Sequence, residues 1–281
     1  MTILVTGGNG QLGCSLRLAS AESSHRFIFT DVKELDIASA TAVEAFFERE
    51  KVDVVVNCAA YTAVDLAEEE ETIADTINRY AVAVLAEACK RYNATLIHIS
   101  TDYVFSGEAT TPYNEECAPA PINVYGRTKL AGEKAVAESG CKSIILRTSW
   151  LYSEFGRNFC KTMQSLTATR PEIKVVADQI GTPTYAGDLA AAITYIIDSN
   201  KLDKCGTYHY SNEGVCSWYD FACEIARLSG NNECEIKPCT TADYPTKAQR
   251  PRYSVLDKSK FVETFGLQLP EWKESLKRMI K

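Results

Sequence analysis

Apolar positions in the first half of the chain alternate between two textures. Short blocks rich in Val, Ile, Leu or Phe occur at Thr2–Thr6, Arg26–Thr30, Val52–Asn57, Thr95–Ser100 and Ser143–Arg147. Unbroken apolar blocks of this length suit strands buried on both faces, whereas a half-exposed strand would alternate. Between them run longer segments of helical character, Gln11–Ala21, Ser39–Lys51, Glu70–Tyr92 and Tyr125–Ser139. Thr41 and Glu44 have capping-box spacing near the start of the second. Alternation of this kind implies right-handed crossovers and a parallel, doubly wound α/β sheet.

After Trp150 the regularity fails. Val175–Val176 and Thr207–Tyr210 read as short strands, and Tyr185–Ser199 and Ser217–Leu228 as helices, the latter with Ser217 as N-cap. Prolines at 238, 245, 251 and 270 break the tail into loops and short helices. The expected organisation is a nucleotide-binding domain over 1–150, joined by 173–200 returning to its sheet. Residues 151–172 and 201–281 then form a smaller α/β C-terminal substrate domain. No internal repeat or low-complexity linker separates the two, so they should pack closely.

Composition narrows the function. A chain of 281 residues that is 46% hydrophobic can bury a large core, and a net charge of -7 argues against a nucleic-acid surface. The one charge run, Glu68–Glu71, falls where a helix begins, where carboxylates suit the dipole, and reads as a solvated helix start. The cysteines number 11, an odd count with no Cys-x-x-Cys, and Cys58, Cys89 and Cys223 fall in apolar or helical runs; buried reduced thiols are expected, with no metal site. Met1 leads straight into a strand, and no stretch approaches a membrane span, so the expectation is a cytoplasmic protein.

Chemistry enters with glycine. Gly7, Gly10 and Gly13 follow the first strand and open the first helix, with Gln11 and Leu12 between. Glycines so placed allow a tight turn, close approach of backbone to a pyrophosphate and close helix–sheet packing, while the helix start offers free N–H groups. Asp31 closes the second strand where an acid meets an adenosine ribose, favouring NADH over NADPH; Lys33 is near enough to offset that preference. Asp36, Ile37 and the stretch Asn57-Cys-Ala59-Ala60-Tyr61 follow strands at their carboxyl ends and are further cofactor candidates. Asn57 reads equally as a loop cap.

Tyr125 and Lys129 lie four apart on a predicted helix and share its face. Thr101 ends the strand before it, and the long segment Ser106–Val124 reads as a functional loop leading to Tyr125. A free phenol has a pKa of about 10. A nearby ammonium on Lys129 would lower it and could also bind the nicotinamide ribose. Tyr125 can then protonate a carbonyl oxygen while Thr101 donates a hydrogen bond to it. The chemistry expected is carbonyl–alcohol redox.

These residues resemble the extended short-chain dehydrogenase/reductases, a family with a Rossmann fold. The likeness runs almost end to end, through Gly7–Gly13, Asn57–Asp65, Thr101-Asp-Tyr-Val-Phe105, Tyr125-Gly-Arg-Thr-Lys129, Arg147-Thr-Ser-Trp150, Asp178–Thr184 and Arg250-Pro-Arg-Tyr-Ser254. The resemblance implies Thr101, Tyr125 and Lys129 as the catalytic set, with Asp102, Tyr103, Trp150 and Arg250 facing a nucleotide-sugar. It implies reduction of the C4 ketone of dTDP-4-dehydro-L-rhamnose, a dTDP-sugar, with NADPH or NADH. Each substrate residue has a plainer reading: Trp150 as core, Arg250 as a surface charge. Asn78 either orients a water or packs, and His98 reads as a satisfied core residue.

A homodimer stays open, but the acid through which some members bridge a metal is Ser15 here, which argues against a metal-bridged dimer. Two rival readings remain. A dehydratase of this fold needs an Asp-Glu pair after the active threonine, where this chain has Asp102-Tyr103, and an epimerase usually carries a larger substrate domain. A non-catalytic regulatory subunit would not need Thr101, Tyr125 and Lys129 together.

Overall fold

The five apolar blocks become parallel strands, β1 (Thr2–Thr6), β2 (Arg26–Phe29), β3 (Val54–Asn57), β4 (Thr95–Thr101) and β5 (Lys142–Thr148). The computed structural model describes residues 1–281. A sixth strand, Gly206–His209, pairs in parallel with β5, giving the order Gly206–His209, β5, β4, β3, β1, β2. The chain runs outward from β1 to β2, then returns to the other side of β1 at β3. Such a reversal leaves a crevice at the carboxyl ends of β1 and β3, where ligands bind in open α/β sheets.

Both faces of the sheet are buried, and alternate residues of each strand go to opposite sides. Ile3, Val5, Val54, Val56, Ile97, Ile144 and Leu146 pack on the first helix, Gln11–Ala19, and on the helix Ala186–Asp198. Leu4, Val55, Leu96 and Ile145 pack on the helices Ala40–Glu50, Ala81–Tyr92 and Val124–Ser139. Each such side chain contributes roughly 1.5–3 kcal/mol on burial, which explains the unbroken apolar blocks.

The second part has its own core around Tyr152, Phe221, Ile225, Trp272 and Leu276. Here two expectations are corrected. The strand Glu172–Val176 does not return to the main sheet but pairs with Glu235–Cys239, whereas Gly206–His209, expected in the second part, completes the main sheet. Consecutive strands joined across a large insertion carry no sequence mark of which sheet they complete. The helix Ala186–Asp198 does pack against the main sheet.

Two helix starts also differ. The second helix is capped by Ser39, whose hydroxyl accepts from the Ala42 N–H at 3.3 Å, while Glu44 pairs with Arg91 across the surface. The Glu70–Tyr92 segment is helical in three pieces, Glu71–Asp75, a π turn at Thr76–Tyr80, and Ala81–Tyr92. Ser217 is the N-cap expected, with a reciprocal box from Asp220. All 11 cysteines are free; Cys89 is buried and Cys205 exposed. No helix is long and apolar enough to cross a membrane.

Candidate active site

The loop between β1 and the first helix is built by backbone packing. A Cβ on Gly7 would stand 2.7 Å from the Ala59 nitrogen, and one on Gly13 would stand 2.4 Å from the Gly7 carbonyl oxygen. Gly10 caps the helix without a side-chain bond, so the first-turn N–H groups face the crevice unpaired by a cap. A dinucleotide pyrophosphate fits this cradle, whose shape a side chain at Gly7 or Gly13 would break by colliding with the backbone of Ala59 or Gly7. Asp31 lies at the loop tip, its carboxylate accepting from Asn9 N at 3.3 Å and Val32 N at 2.8 Å.

Other candidates divide. Gln11, Leu12 and Ala60 line a cavity of about 550 Å³ together with Thr101, Tyr125, Lys129 and Trp150. Gln11 turns its side-chain oxygen to Ser153 and Asn158, both at 3.0 Å, and so ties the glycine loop to the second part. Ala59 backs Gly7. Tyr61 points away, donating to Glu70 at 2.6 Å, and that bond lifts its phenol to about 12. Asp36 serves its own turn by accepting from Ala38 N, and Ile37 packs on the core. Asn57 is a structural cap, accepting from the Thr6 hydroxyl at 2.7 Å and from Ala59 N at 3.2 Å.

Tyr125 and Lys129 face the cavity from one side of the helix Val124–Ser139. Asn123 starts this helix by accepting from Gly126 N at 2.8 Å, and Glu68 accepts from Val124 N at 2.8 Å. The ring of Tyr103 meets that of Tyr125 edge-on at 5.6 Å. Contrary to expectation, the ammonium does not depress the phenol in this structure. Lys129 Nζ donates to the Ile99 carbonyl at 2.6 Å, and burial pushes the Tyr125 phenol up, with only the Thr101 hydroxyl acting the other way. Burial also lowers Lys129 to about 8, against the pull of Glu133 and Cys58. Desolvation is the largest influence on both groups.

Thr101 donates to Asp102 Oδ1 at 3.0 Å and accepts from Tyr103 N at 3.2 Å. Asp102 is buried, its Oδ2 has no hydrogen-bond partner, and burial raises the carboxyl to about 7 despite bonds from Ser254 and Thr101. The folded acid therefore sits above its unfolded value of about 3.9. Its contribution to stability is full below about pH 4 and is lost as pH rises through 7. Asp102→Asn should match the parent near about pH 4 and exceed it by roughly 1–3 kcal/mol at about pH 8. Urea unfolding at the two pH values checks this; a gap that does not widen counts against it.

Arg250 is no free surface charge. It donates to Asp65 Oδ2 at 2.6 Å and to the Tyr103 hydroxyl at 3.3 Å. The acidic run does lead into a helix, at Glu71, and is divided: Glu68 accepts from Val124 N and Glu70 from the Tyr61 hydroxyl, while Glu69 and Glu71 stay exposed beside Lys247 and Arg127. A second cavity of about 420 Å³, lined by Phe159, Met163, Ile173, Val175 and Tyr244, adjoins the first at Trp218 and Arg250. Sequence reasoning did not single out Trp218, Phe159 or Asp65.

A family model described as RmlD substrate binding domain matches residues 1–281. The dTDP-4-dehydrorhamnose reductase of Aggregatibacter actinomycetemcomitans is 42% identical, covering 99% of this chain and 97% of that protein. The chain belongs to the dTDP-4-dehydrorhamnose reductase family. A solved member from Clostridium acetobutylicum superposes with a TM-score of 0.95 at 46% identity, over 100% of this chain and 98% of that one. Another, from Bacillus anthracis in complex with NADP, gives 0.95 at 41% identity, over 99% and 98%.

Within this reductase family scaffold, Asn78 is fully used. Its side chain pairs with the backbone of Tyr61 at 2.9 and 3.1 Å and with Thr128 at 3.1 Å, which is the packing reading. His98 is only half satisfied, with Nδ1 on Asn57 at 3.1 Å and Nε2 unpartnered. The Ser106–Val124 loop is pinned: Tyr113 stacks on Phe105 at 4.3 Å, and its backbone bonds Val255 and Asp257 at 2.9 and 2.7 Å.

Proposed function

We propose that this chain reduces the C4 ketone of dTDP-4-dehydro-L-rhamnose to dTDP-L-rhamnose, using NADPH or NADH. The observation that carries the reading is a juxtaposition. Gly10 and Gln11 line one cavity with Thr101, Tyr125 and Lys129, and a second pocket adjoins it at Trp218 and Arg250. A dinucleotide would be held by the Gly7–Gly13 loop, by Asp31 at the adenosine ribose and by Lys129 at the nicotinamide ribose. When bound, it supplies a hydride to the carbonyl carbon.

The chain's own residues do the rest. Thr101 and Tyr125 hold the ketone oxygen, and Tyr125, kept protonated by burial, gives its proton to that oxygen as it becomes an alcohol. Lys129, held to the Ile99 carbonyl at 2.6 Å, keeps its ammonium on the same side of the cavity. Asp102, Tyr103 and Trp150 border the sugar, and Arg250 suits a diphosphate. Ser15 is buried and bonded to the Gln11 carbonyl at 2.9 Å, so this reading includes no metal-bridged dimer. The product would feed polysaccharide synthesis in the cytoplasm.

The test is loss of nicotinamide absorbance when the purified protein meets the 4-keto sugar nucleotide, with NMR of the product fixing the C4 configuration. Absence of loss with either cofactor favours the non-catalytic reading, and an alcohol of opposite configuration identifies a sibling 4-ketoreductase. Arg250→Ala should raise KM about 10–100-fold with kcat little changed, since charge-assisted bonds are worth about 1.5–3 kcal/mol. An unchanged KM would remove Arg250 from the diphosphate site.

A further inference from the structure

The two cavities share two lining residues, Trp218 and Arg250. A ligand reaching from Tyr125 to the pocket of Phe159, Met163, Ile173 and Val175 must pass between or beside them. Arg250 supplies the charge at this neck. Trp218 supplies a flat wall, and its position is constrained in an unusual way.

Trp218 begins the helix Trp218–Leu228, whose start is fixed by the reciprocal box of Ser217 and Asp220. Its backbone is therefore held, so any movement of the residue falls to the indole. That indole lies flat on Trp150, with ring centroids 3.6 Å apart and planes 10° from parallel. Direct face-to-face stacking is the arrangement aromatic quadrupoles favour least. Trp150 reaches it from a left-handed backbone, φ 49°, a genuine outlier for a bulky side chain. Gly181 makes room, since a Cβ there would stand 2.6 Å from the Trp150 indole. Both indoles are only partly buried and line the cavity of Tyr125, while Trp218 also borders the second cavity, where the Phe159 ring stands 4.5 Å from it.

A disfavoured stack on a strained residue at the junction of two cavities is a conformation held ready to change. We propose that Trp218 is a positioning residue that closes the neck by stacking on Trp150, and that a nucleoside diphosphate sugar opens the stack. Trp218 then lines the nucleoside side, and the released face of Trp150 meets the sugar. This rests on the reductase reading and adds to it the residue that couples nucleotide recognition to access at Thr101 and Tyr125.

The chain has 3 tryptophans. The third, Trp272, is 2% exposed and meets Phe221 edge-on at 5.7 Å, so an exciton couplet in circular dichroism reports the Trp150–Trp218 pair. The full chain is titrated with dTDP alone, followed in parallel by difference dichroism and by calorimetry. The couplet should collapse in proportion to saturation. Trp218→Phe should diminish it in the free protein, which assigns the signal on a conservative variant. Trp218→Ala should raise KM for the sugar nucleotide about tenfold while kcat stays within about twofold. Heat of binding with an unchanged couplet, or an unchanged KM in Trp218→Ala, overturns the proposal alone. No heat at all overturns the reductase reading with it.

Discussion

Tyr125→Phe should lower turnover by about a thousandfold or more while leaving cofactor affinity within about threefold of the parent. The phenol shares the cavity and the helix face of Lys129, and the substitution removes a single oxygen. The ring keeps its edge-on contact with Tyr103 at 5.6 Å, and the helix keeps its cap at Asn123. Burial holds the phenol well above its ordinary value, so its proton is present throughout the neutral range. The alkaline limb of kcat/KM in the free enzyme then belongs to Lys129, whose ammonium is lowered to about 8 and is lost as pH rises past it. Stopped-flow reduction at saturating cofactor, with cofactor affinity measured separately, checks both parts. Equal losses of affinity and rate would make Tyr125 structural.

The second large effect is on stability. Glu133 continues the same helix face one turn beyond Lys129, and it pairs with Arg147 of β5 through two bonds, at 2.6 and 2.9 Å. Both side chains are 6% exposed. The Ser100 hydroxyl also donates to Glu133, and Arg147 lies over the Phe105 ring at 5.2 Å. Removing one partner from such a pair leaves a buried charge without compensation. Glu133→Ala should cost about 3–5 kcal/mol, a large share of the stability of an ordinary domain. The double replacement Glu133→Leu with Arg147→Met should recover most of that loss, because a packed apolar pair removes both desolvation penalties. Urea midpoints of the three proteins decide it. A loss below about 1 kcal/mol in Glu133→Ala would mean that water reaches the pair.

These two predictions rest on residues of different visibility. Tyr125 and Lys129 stand out in the sequence because chemistry needs a phenol and an ammonium on one helix face, and a four-residue spacing provides it. Glu133 extends that face visibly, but nothing local shows that its partner is an arginine on the next strand. The acidic run was legible only in part for the same reason. Glu69 and Glu71 are the solvated helix-start charges expected, whereas Glu68 and Glu70 are engaged by Val124 N and the Tyr61 hydroxyl, partners that no local pattern shows. Asp65 lies within a recognisable motif, but its hold on Arg250 depends on a strap that folds back over the cavity.

The strands, the glycine loop and the shared helix face of Tyr125 and Lys129 were determined by sequence alone, because each depends on local periodicity, steric allowance or spacing within one element. Only the tertiary structure decided which sheet received Gly206–His209 and Glu172–Val176, since pairing between distant strands leaves no local mark. It alone decided that burial sets the Tyr125 phenol above its ordinary range, because desolvation depends on everything packed around a group. It also decided that Trp218 and Arg250 form the neck between two cavities, because that neck is made where separate segments of the chain meet.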